Sequence, residues 1–207
     1  MSKGLLIALS GFSGAGKGTI MKQIMAESPG QFALSVSATT RSPRPGETEG
    51  VEYFFKTKEE FERLIAEDRL IEYAGYVDNY YGTPKDFVLG EMEKGKDVFL
   101  EIEVQGVLQV KEKFPETVTV FVVPPSAKEL VRRLKERGSE TEEIIKKRIA
   151  RAFEEAKYAY EYDYILVNED LDRSVQELRE IITAEHDKTV NQISVLQRLQ
   201  DELGGIK

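Results

Sequence analysis

The chain has 207 residues, 41% of them hydrophobic, which is enough to bury the core of one compact domain with small insertions. Its 29 Lys and Arg against 37 Asp and Glu leave a net charge of −8, which argues against a nucleic-acid polymer as partner and requires that any anionic ligand meet locally gathered cations. The absence of cysteine excludes disulfides, thiolate metal sites and thiol catalysis, and no apolar run approaches the roughly 18–20 residues that span a bilayer.

The first apolar run, Leu5 to Leu9, is too short for the core of a signal peptide, so a cytoplasmic protein without membrane contact is expected. The run instead predicts a buried parallel strand. Directly after it, Gly11-Phe12-Ser13-Gly14-Ala15-Gly16-Lys17 matches the first seven positions of the phosphate-loop pattern G-x-x-x-x-G-K. Glycines let backbone N–H groups converge on phosphate oxygens, and the following helix N-terminus adds partial positive charge. Lys17 can reach the β- and γ-phosphates of ATP. The eighth position is Gly18 rather than Ser or Thr, with Thr19 one step later. A hydroxyl ligand for Mg²⁺ is thereby missing or displaced, and a largely hydrated Mg²⁺ held by the nucleotide is expected.

Residues 35–90 differ in character. Val51 to Phe55 predicts a strand. Thr57-Lys58-Glu59-Glu60 is a capping box opening a helix through about Ala66. Leu70 to Tyr76 and Asn79-Tyr80-Tyr81-Gly82 predict a further strand and loop, and Thr83-Pro84 starts another helix with proline in its first turn. Val98-Phe99-Leu100 then forms a strand ending in Glu101 and Glu103, two carboxylates that share one face of a straight strand. An acid at such a strand end holds Mg²⁺ or its waters in phosphate-loop enzymes.

Val118 to Val123 and Tyr164 to Val167 complete the set of buried strands, and helices between them give the βαβ signature of a parallel sheet covered on both faces. Between them, residues 126–162 are rich in charge and helix formers. Ser126-Ala127-Lys128-Glu129 and Ser139-Glu140-Thr141-Glu142 are both capping boxes, with Gly138 breaking the chain between two helices. From Ser174 onward one long helix is predicted by the stripe Val175, Leu178, Ile182, His186, Thr189, Ile193, Leu196, Gln200 and Leu203. Two readings stand for its end: a helix lying on the core, which is favoured, or one reaching a second subunit in a homodimer. His186, the single histidine, is expected to pack or face solvent rather than catalyse.

Several segments fall in register with one family. Ser35 to Glu47, which contains Ser37, Thr39-Thr40-Arg41-Ser42-Pro43-Arg44-Pro45-Gly46, closely resembles the signature of guanylate kinases. Gly50-Val51-Glu52-Tyr53-Phe54, Glu72, Asn79 to Thr83, Glu101 to Gly106 and Asn168-Glu169-Asp170-Leu171 follow in the same order. The resemblance implies an α/β fold of the P-loop nucleoside-monophosphate-kinase type. That is a three-layer core with a parallel β-sheet (1–34, 91–125 and 163–207), an inserted GMP-binding lobe with a mixed sheet (35–90), and a helical lid with its flanking helices (126–162). It implies transfer of the ATP γ-phosphoryl group to GMP, and to dGMP, with Mg²⁺ as cofactor.

The same resemblance distributes roles. Arg41 and Arg44 would hold the GMP phosphate, because planar guanidinium forks suit a dianion, with Tyr53 and Tyr81 adding hydroxyl donors. Glu72 would accept from guanine N1–H and the exocyclic amine, and Thr83 and Ser37 would donate to O6. Glu103 would touch the guanine or ribose side. Adenine, lacking N1–H and the 2-amino group, would leave Glu72 desolvated and unpaired, and such sites discriminate by roughly 10⁴ or more. Arg133, Arg137 and Arg148 match the lid arginines, with Arg151 a weaker candidate. Asn168 would lie near the adenine of ATP, and Glu101 would meet Mg²⁺ through water. No general base is needed, since the acceptor is already an ionised phosphate oxygen. Two rivals remain: an interaction module on the same fold, against which Lys17 and the loop glycines speak, and a kinase for adenylate or a pyrimidine monophosphate, against which Glu72 with Thr83 speaks.

Overall fold

The computed structural model describes residues 3–76, 78–136 and 141–206. Strand β1 (Leu6–Gly11) is buried along its whole length and leads through the phosphate loop into helix α1 (Lys17–Glu27). Strand β2 (Phe32–Leu34) follows. Together with β7 (Asp97–Glu101), β8 (Val118–Val123) and β9 (Tyr164–Val167) these form a sheet of order β2-β7-β1-β8-β9. All of its pairings are parallel. Both faces are covered. On one, Ile20 and Ile24 of α1 pack with Val175, Leu178 and Ile182 of α7 (Leu171–His186). On the other, Val88 and Met92 of α3 (Lys85–Glu93) pack with Val104, Val107 and Val110 of α4 (Val104–Lys113). The fold is thus a three-layer α/β sandwich, and the apolar runs of β1, β7 and β8 are continuous because both faces of the sheet are dry there, whereas the edge strand β9, expected to be buried, leaves Ile165 and Val167 exposed.

A second, mixed sheet has the order β4-β3-β6-β5. Its strands are β3 (Ser37–Thr39), β4 (Tyr53–Phe55), β5 (Leu70–Tyr76) and β6 (Asn79–Pro84). Helix α2 (Lys58–Ala66) covers it through Phe61, which is fully buried with Ala38 and Leu70. The Thr57–Glu60 capping box forms as the sequence predicts, with both reciprocal bonds present. Helices α5 (Ala127–Glu136) and α6 (Glu142–Ala156) join through residues outside the described set, which hold Arg137, the expected break at Gly138, and Ser139 and Glu140. They share a small core of Leu130, Leu134, Ile145 and Ala152.

Several expectations are corrected. The strand expected over Val51 to Phe55 spans only Tyr53–Phe55, because the chain still turns at Val51 and Glu52. Asn79 to Gly82, expected as a loop, is part of β6, paired to β3 and β5. Thr83 and Pro84 close that strand, and the helix begins at Lys85 with Pro84 as its cap residue. Of the Ser126 box only the serine half acts on the N-terminus: Ser126 Oγ accepts from Glu129 N–H at 3.1 Å, while the Glu129 carboxylate pairs with Arg132 and Arg133. Helix α6 is capped by Thr141, not Ser139. The single C-terminal helix is two: α7 ends at His186, a 3₁₀ turn spans Thr189–Asn191, and α8 (Ile193–Gly205) follows. His186 Nε2 lies 2.9 Å from Asp97 Oδ1, and Asp97 also accepts from Leu5 N–H at 2.8 Å, so α7 is pinned to the sheet where the stripe was expected to run on.

Candidate active site

Strand β1 ends where its neighbours end, and the loop after it wraps a cleft of about 530 Å³. Gly16 caps α1 in the left-handed region (φ 97°), and a Cβ there would lie 2.3 Å from Asn168 Nδ2, so only glycine lets the loop turn into the helix at this spot. Lys17 lies across the loop, its Nζ donating to the carbonyls of Gly11 at 2.7 Å and Phe12 at 3.2 Å. Arg148 reaches down from α6 and donates to Ser13 Oγ at 2.6 Å. Two cations from distant segments therefore meet at the loop that the glycine pattern marks.

The loop is braced from behind. Asn168 Nδ2 donates to Ala15 O at 2.7 Å, and its Oδ1 accepts from Ser174 Oγ at 3.2 Å. Arg133 donates to the same Ala15 carbonyl at 3.3 Å and to Asn168 O at 2.9 Å. Its Nε is held by Glu129, whose carboxyl is lowered to about 2 by Arg132 and Arg133. Gly14, Thr19, Arg133 and Asn168 border a side cleft of about 290 Å³. Arg137 lies outside the described residues.

A second cleft of about 340 Å³ opens between the mixed sheet and α4, bringing together Ser37, Tyr53, Glu72, Tyr81, Glu101 and Glu103. Glu72 is only 6% exposed. It sits where the β5–β6 register shifts between Leu70 and Tyr73, and such a bulge re-aims a side chain. Thr83, wholly buried behind it, donates from Oγ1 to Glu72 Oε1 at 2.7 Å. Burial pushes the Glu72 carboxyl above the usual carboxylate range, against the opposing pull of hydrogen bonds from Thr83. With Thr83 on Oε1, the ionised carboxylate can accept from a donating ligand through its other oxygen.

Gly106, unassigned by the sequence reading, completes this wall, and Gln109, also unassigned, braces the strand beside it. A Cβ at Gly106 would lie 2.9 Å from Glu72 Oε2, so α4 can approach the carboxylate only without a side chain there. Gln109 fixes β5 by pairing its amide with Tyr73, at 3.2 Å to the N–H and 3.1 Å to the carbonyl. A glycine inside the first turn of an amphipathic helix was the available signal for Gly106; Gln109 left none.

Near the mouth, Arg41 makes a bidentate pair with Glu47, at 2.9 and 2.8 Å, and its guanidinium lies 5.3 Å from the Tyr53 ring centre. The Arg44 side chain is exposed, and its N–H donates to Glu47. Glu101 and Glu103 line both large clefts, but not as neighbours on one strand face. Strand β7 stops at Glu101, and Glu103 is the residue before α4. Its carboxylate pairs with Arg151 of α6 at 2.6 Å, tying the two sides of the cleft together.

Two clefts that meet at the carboxylates after β7, one wrapped by a phosphate loop and one ending in a buried acceptor, are how a P-loop kinase brings two nucleotides to one transfer point. Comparison with known proteins narrows the class. The guanylate kinase family model matches residues 3–185. Guanylate kinase from Caldanaerobacter subterraneus subsp. tengcongensis is 55% identical over 183 residues, 88% of each chain. That of Desulfitobacterium hafniense is 51% identical over 182 residues, 88% of this chain and 90% of the other. The crystal structure of guanylate kinase from Anaplasma phagocytophilum superposes with a TM-score of 0.70 at 33% identity, covering 91% of this chain and 89% of that one. The chain belongs to the guanylate kinase family and is an ATP:GMP phosphotransferase.

Proposed function

We propose that the chain phosphorylates GMP, and dGMP through the same base contacts, with the following division of labour. Lys17 and the loop N–H groups from Gly11 to Thr19 hold the ATP phosphates. Arg41 and Arg44, with Tyr53 and Tyr81, hold the GMP phosphate. Glu72 takes guanine N1–H and the exocyclic amine, Ser37 donates to O6, and Thr83 orients Glu72 while Glu103 closes the ribose side. Arg148 and Arg137 neutralise charge on the migrating group as the lid (126–162) closes on the lobe (35–90) and the core. Catalysis of phosphoryl transfer is mostly positioning and charge neutralisation, and this chain's residues supply both.

The residues around the loop suit a water-bridged Mg²⁺. Glu101 Oε1 faces the eighth loop position, 4.0 Å from where a Gly18 Cβ would lie, so there is room between carboxylate and loop. When bound, Mg²⁺ supplies neutralising charge at the β- and γ-phosphates.

The observation that carries the acceptor assignment is the buried Glu72–Thr83 pair at the end of the second cleft. The test is coupled ADP production with ATP, Mg²⁺ and GMP, against AMP, CMP, UMP and dTMP in parallel. Strong turnover with GMP and little with AMP supports it. Fast AMP turnover without GMP turnover overturns the base assignment, and GMP binding without ADP production turns the reading to an interaction module.

Two further points belong to the same proposal. Among the described residues no helix is long and apolar enough to cross a membrane, and a cytoplasmic setting matches the site of the two substrates. Helix α8 buries none of its residues, and Leu196, Leu199 and Leu203 are exposed at steps of three and four. An isolated helix of this length is marginal in water, so we assign this stripe to a homodimer contact with the same helix of a second chain.

A further inference from the structure

Every donor on the Arg41 guanidinium can be followed. Its Nη1 gives one hydrogen to Glu47 Oε2 at 2.9 Å and one to Ser42 O at 2.7 Å. Its Nη2 gives one to Glu47 Oε1 at 2.8 Å. What remains is the side edge, Nε–H and the second Nη2–H. The ring of Tyr53 lies against the guanidinium at 5.3 Å, and Tyr81 packs edge-on against Tyr53 with ring centres 6.0 Å apart. Both tyrosines line the acceptor cleft. The end of the guanidinium is thus consumed by Glu47, and its side edge is left for a ligand beside a tyrosine that lines the cleft.

The backbone is built to deliver that carboxylate. Arg44-Pro45-Gly46-Glu47 is a β-turn: Glu47 N–H donates to Arg44 O at 3.0 Å, with proline second and a positive-φ glycine (φ 90°) third, the type II pattern. The turn folds Glu47 back over its own start, where Oε2 also accepts from Arg44 N–H at 2.7 Å. Arg41 and Glu47 are both well shielded, with side chains 15% and 17% exposed. Pro45 fixes one φ of the turn, and three hydrogen bonds from Arg41 and Arg44 hold the carboxylate in place.

A carboxylate at an anion site acts in one of two ways. It either competes with the phosphate for the arginine or holds the arginine for it. The geometry decides between them: Glu47 takes only the end of the guanidinium, and the two remaining donors, which form the side edge, are themselves a bidentate phosphate site. We propose that Glu47 is a positioning residue of the acceptor site, which fixes Arg41 in advance so that its side edge, with Tyr53 and Tyr81, receives the phosphate of GMP. This rests on the reading of Arg41 as a phosphate ligand. A long, freely rotating arginine would lose more freedom on binding than one already fixed, so the pair raises affinity even though its carboxylate repels the phosphate.

The experiment is a double-mutant cycle with Glu47→Gln, Arg41→Ala and both, read as KM for GMP, KM for ATP, kcat and the equilibrium affinity for guanosine, which lacks the phosphate. Glu47→Gln should raise KM for GMP about tenfold. It should leave guanosine affinity, KM for ATP and kcat within about twofold, and should add nothing in the Arg41→Ala background. Glu47→Asp, which keeps the charge on a shorter arm, should recover part of the loss. A KM for GMP that falls or stays unchanged in Glu47→Gln overturns the proposal, as does a loss equally large for guanosine or one that persists without Arg41. If Arg41→Ala itself leaves GMP affinity unchanged, the phosphate reading fails first; if Arg41→Ala is damaging and Glu47→Gln is not, only this inference fails.

Discussion

Glu72 shows how one residue couples stability to recognition. Its folded pKa is raised by burial, so the folded state holds its proton more tightly than the unfolded chain does. Stability from this group is therefore greatest below the ordinary carboxylate pKa and is lost as pH rises from there through the raised folded value. Wherever Glu72 is ionised it costs stability, a cost that its proposed role as an acceptor for guanine would justify. Glu72→Gln can still accept from Thr83, so it should leave the melting temperature at neutral pH unchanged or raised. KM for GMP should rise about 10–100-fold with KM for ATP little altered. In the wild type, KM for GMP should climb on acidification through the raised pKa, and the variant should lack that limb. Equal losses for both nucleotides would remove the base-recognition role. Lys17→Ala, at the other cleft, should lower kcat by about 10²–10³ while far-ultraviolet circular dichroism stays unchanged. Near-normal turnover with an intact spectrum would contradict its role.

At the scale of elements, local signals succeeded where the interaction that fixes an end is itself local. The Thr57–Glu60 box is closed by bonds three residues apart, and it forms as read. Ser126 met a competitor: Glu129 can reach Ser126 or its own helix neighbours, and Arg132 and Arg133 draw it away. The C-terminal stripe failed for a different reason. Steps of three and four continue through His186, but Asp97 from a strand 89 positions earlier pairs with that histidine. Asn191 and Gln192 then turn back to cap the end of α7, donating to the carbonyls of Glu185 and His186 at 2.8 and 3.0 Å. The resulting break sets α8 off the core with its leucines outward. Leu199→Glu together with Leu203→Glu should shift the protein toward monomer in analytical ultracentrifugation, with little change in melting temperature or turnover. A wild type that is monomeric at all concentrations would defeat the contact.

Over the whole molecule, the acidic chain gathers its cations from far apart: Lys17 after β1, Arg41 beside β3, and Arg148 on α6. Helix α6 is already linked across the cleft through Arg148 to Ser13 and Arg151 to Glu103. Binding of both nucleotides should draw these segments further inward, because two polyanionic ligands supply the counter-charge. Small-angle scattering with a bisubstrate analogue should therefore show a smaller radius of gyration, and an unchanged profile would contradict closure. The attraction of nucleotide anions to cations in solvent-accessible clefts also predicts weaker binding of both nucleotides at high salt.

By itself the sequence determined the phosphate loop, the buried strands β1, β7 and β8 and the family; it also found β9, but expected it buried where Ile165 and Val167 lie exposed on the edge of the sheet. These signals are continuous in the chain: a glycine pattern between an apolar run and a helix, and motifs of a few residues in register. It also named both carboxylates after β7, yet it misjudged their relation, because where a strand stops depends on its neighbours. Only the tertiary structure decided what each side chain faces. It set Glu72 at a bulge against Thr83 and Gly106, turned Glu47 onto Arg41, made Asn168 a brace for Ala15, and placed Arg151 opposite Glu103. Spacing along the chain encodes local backbone geometry; a hydrogen bond or ion pair between distant positions is fixed by packing, and packing is a property of the folded whole.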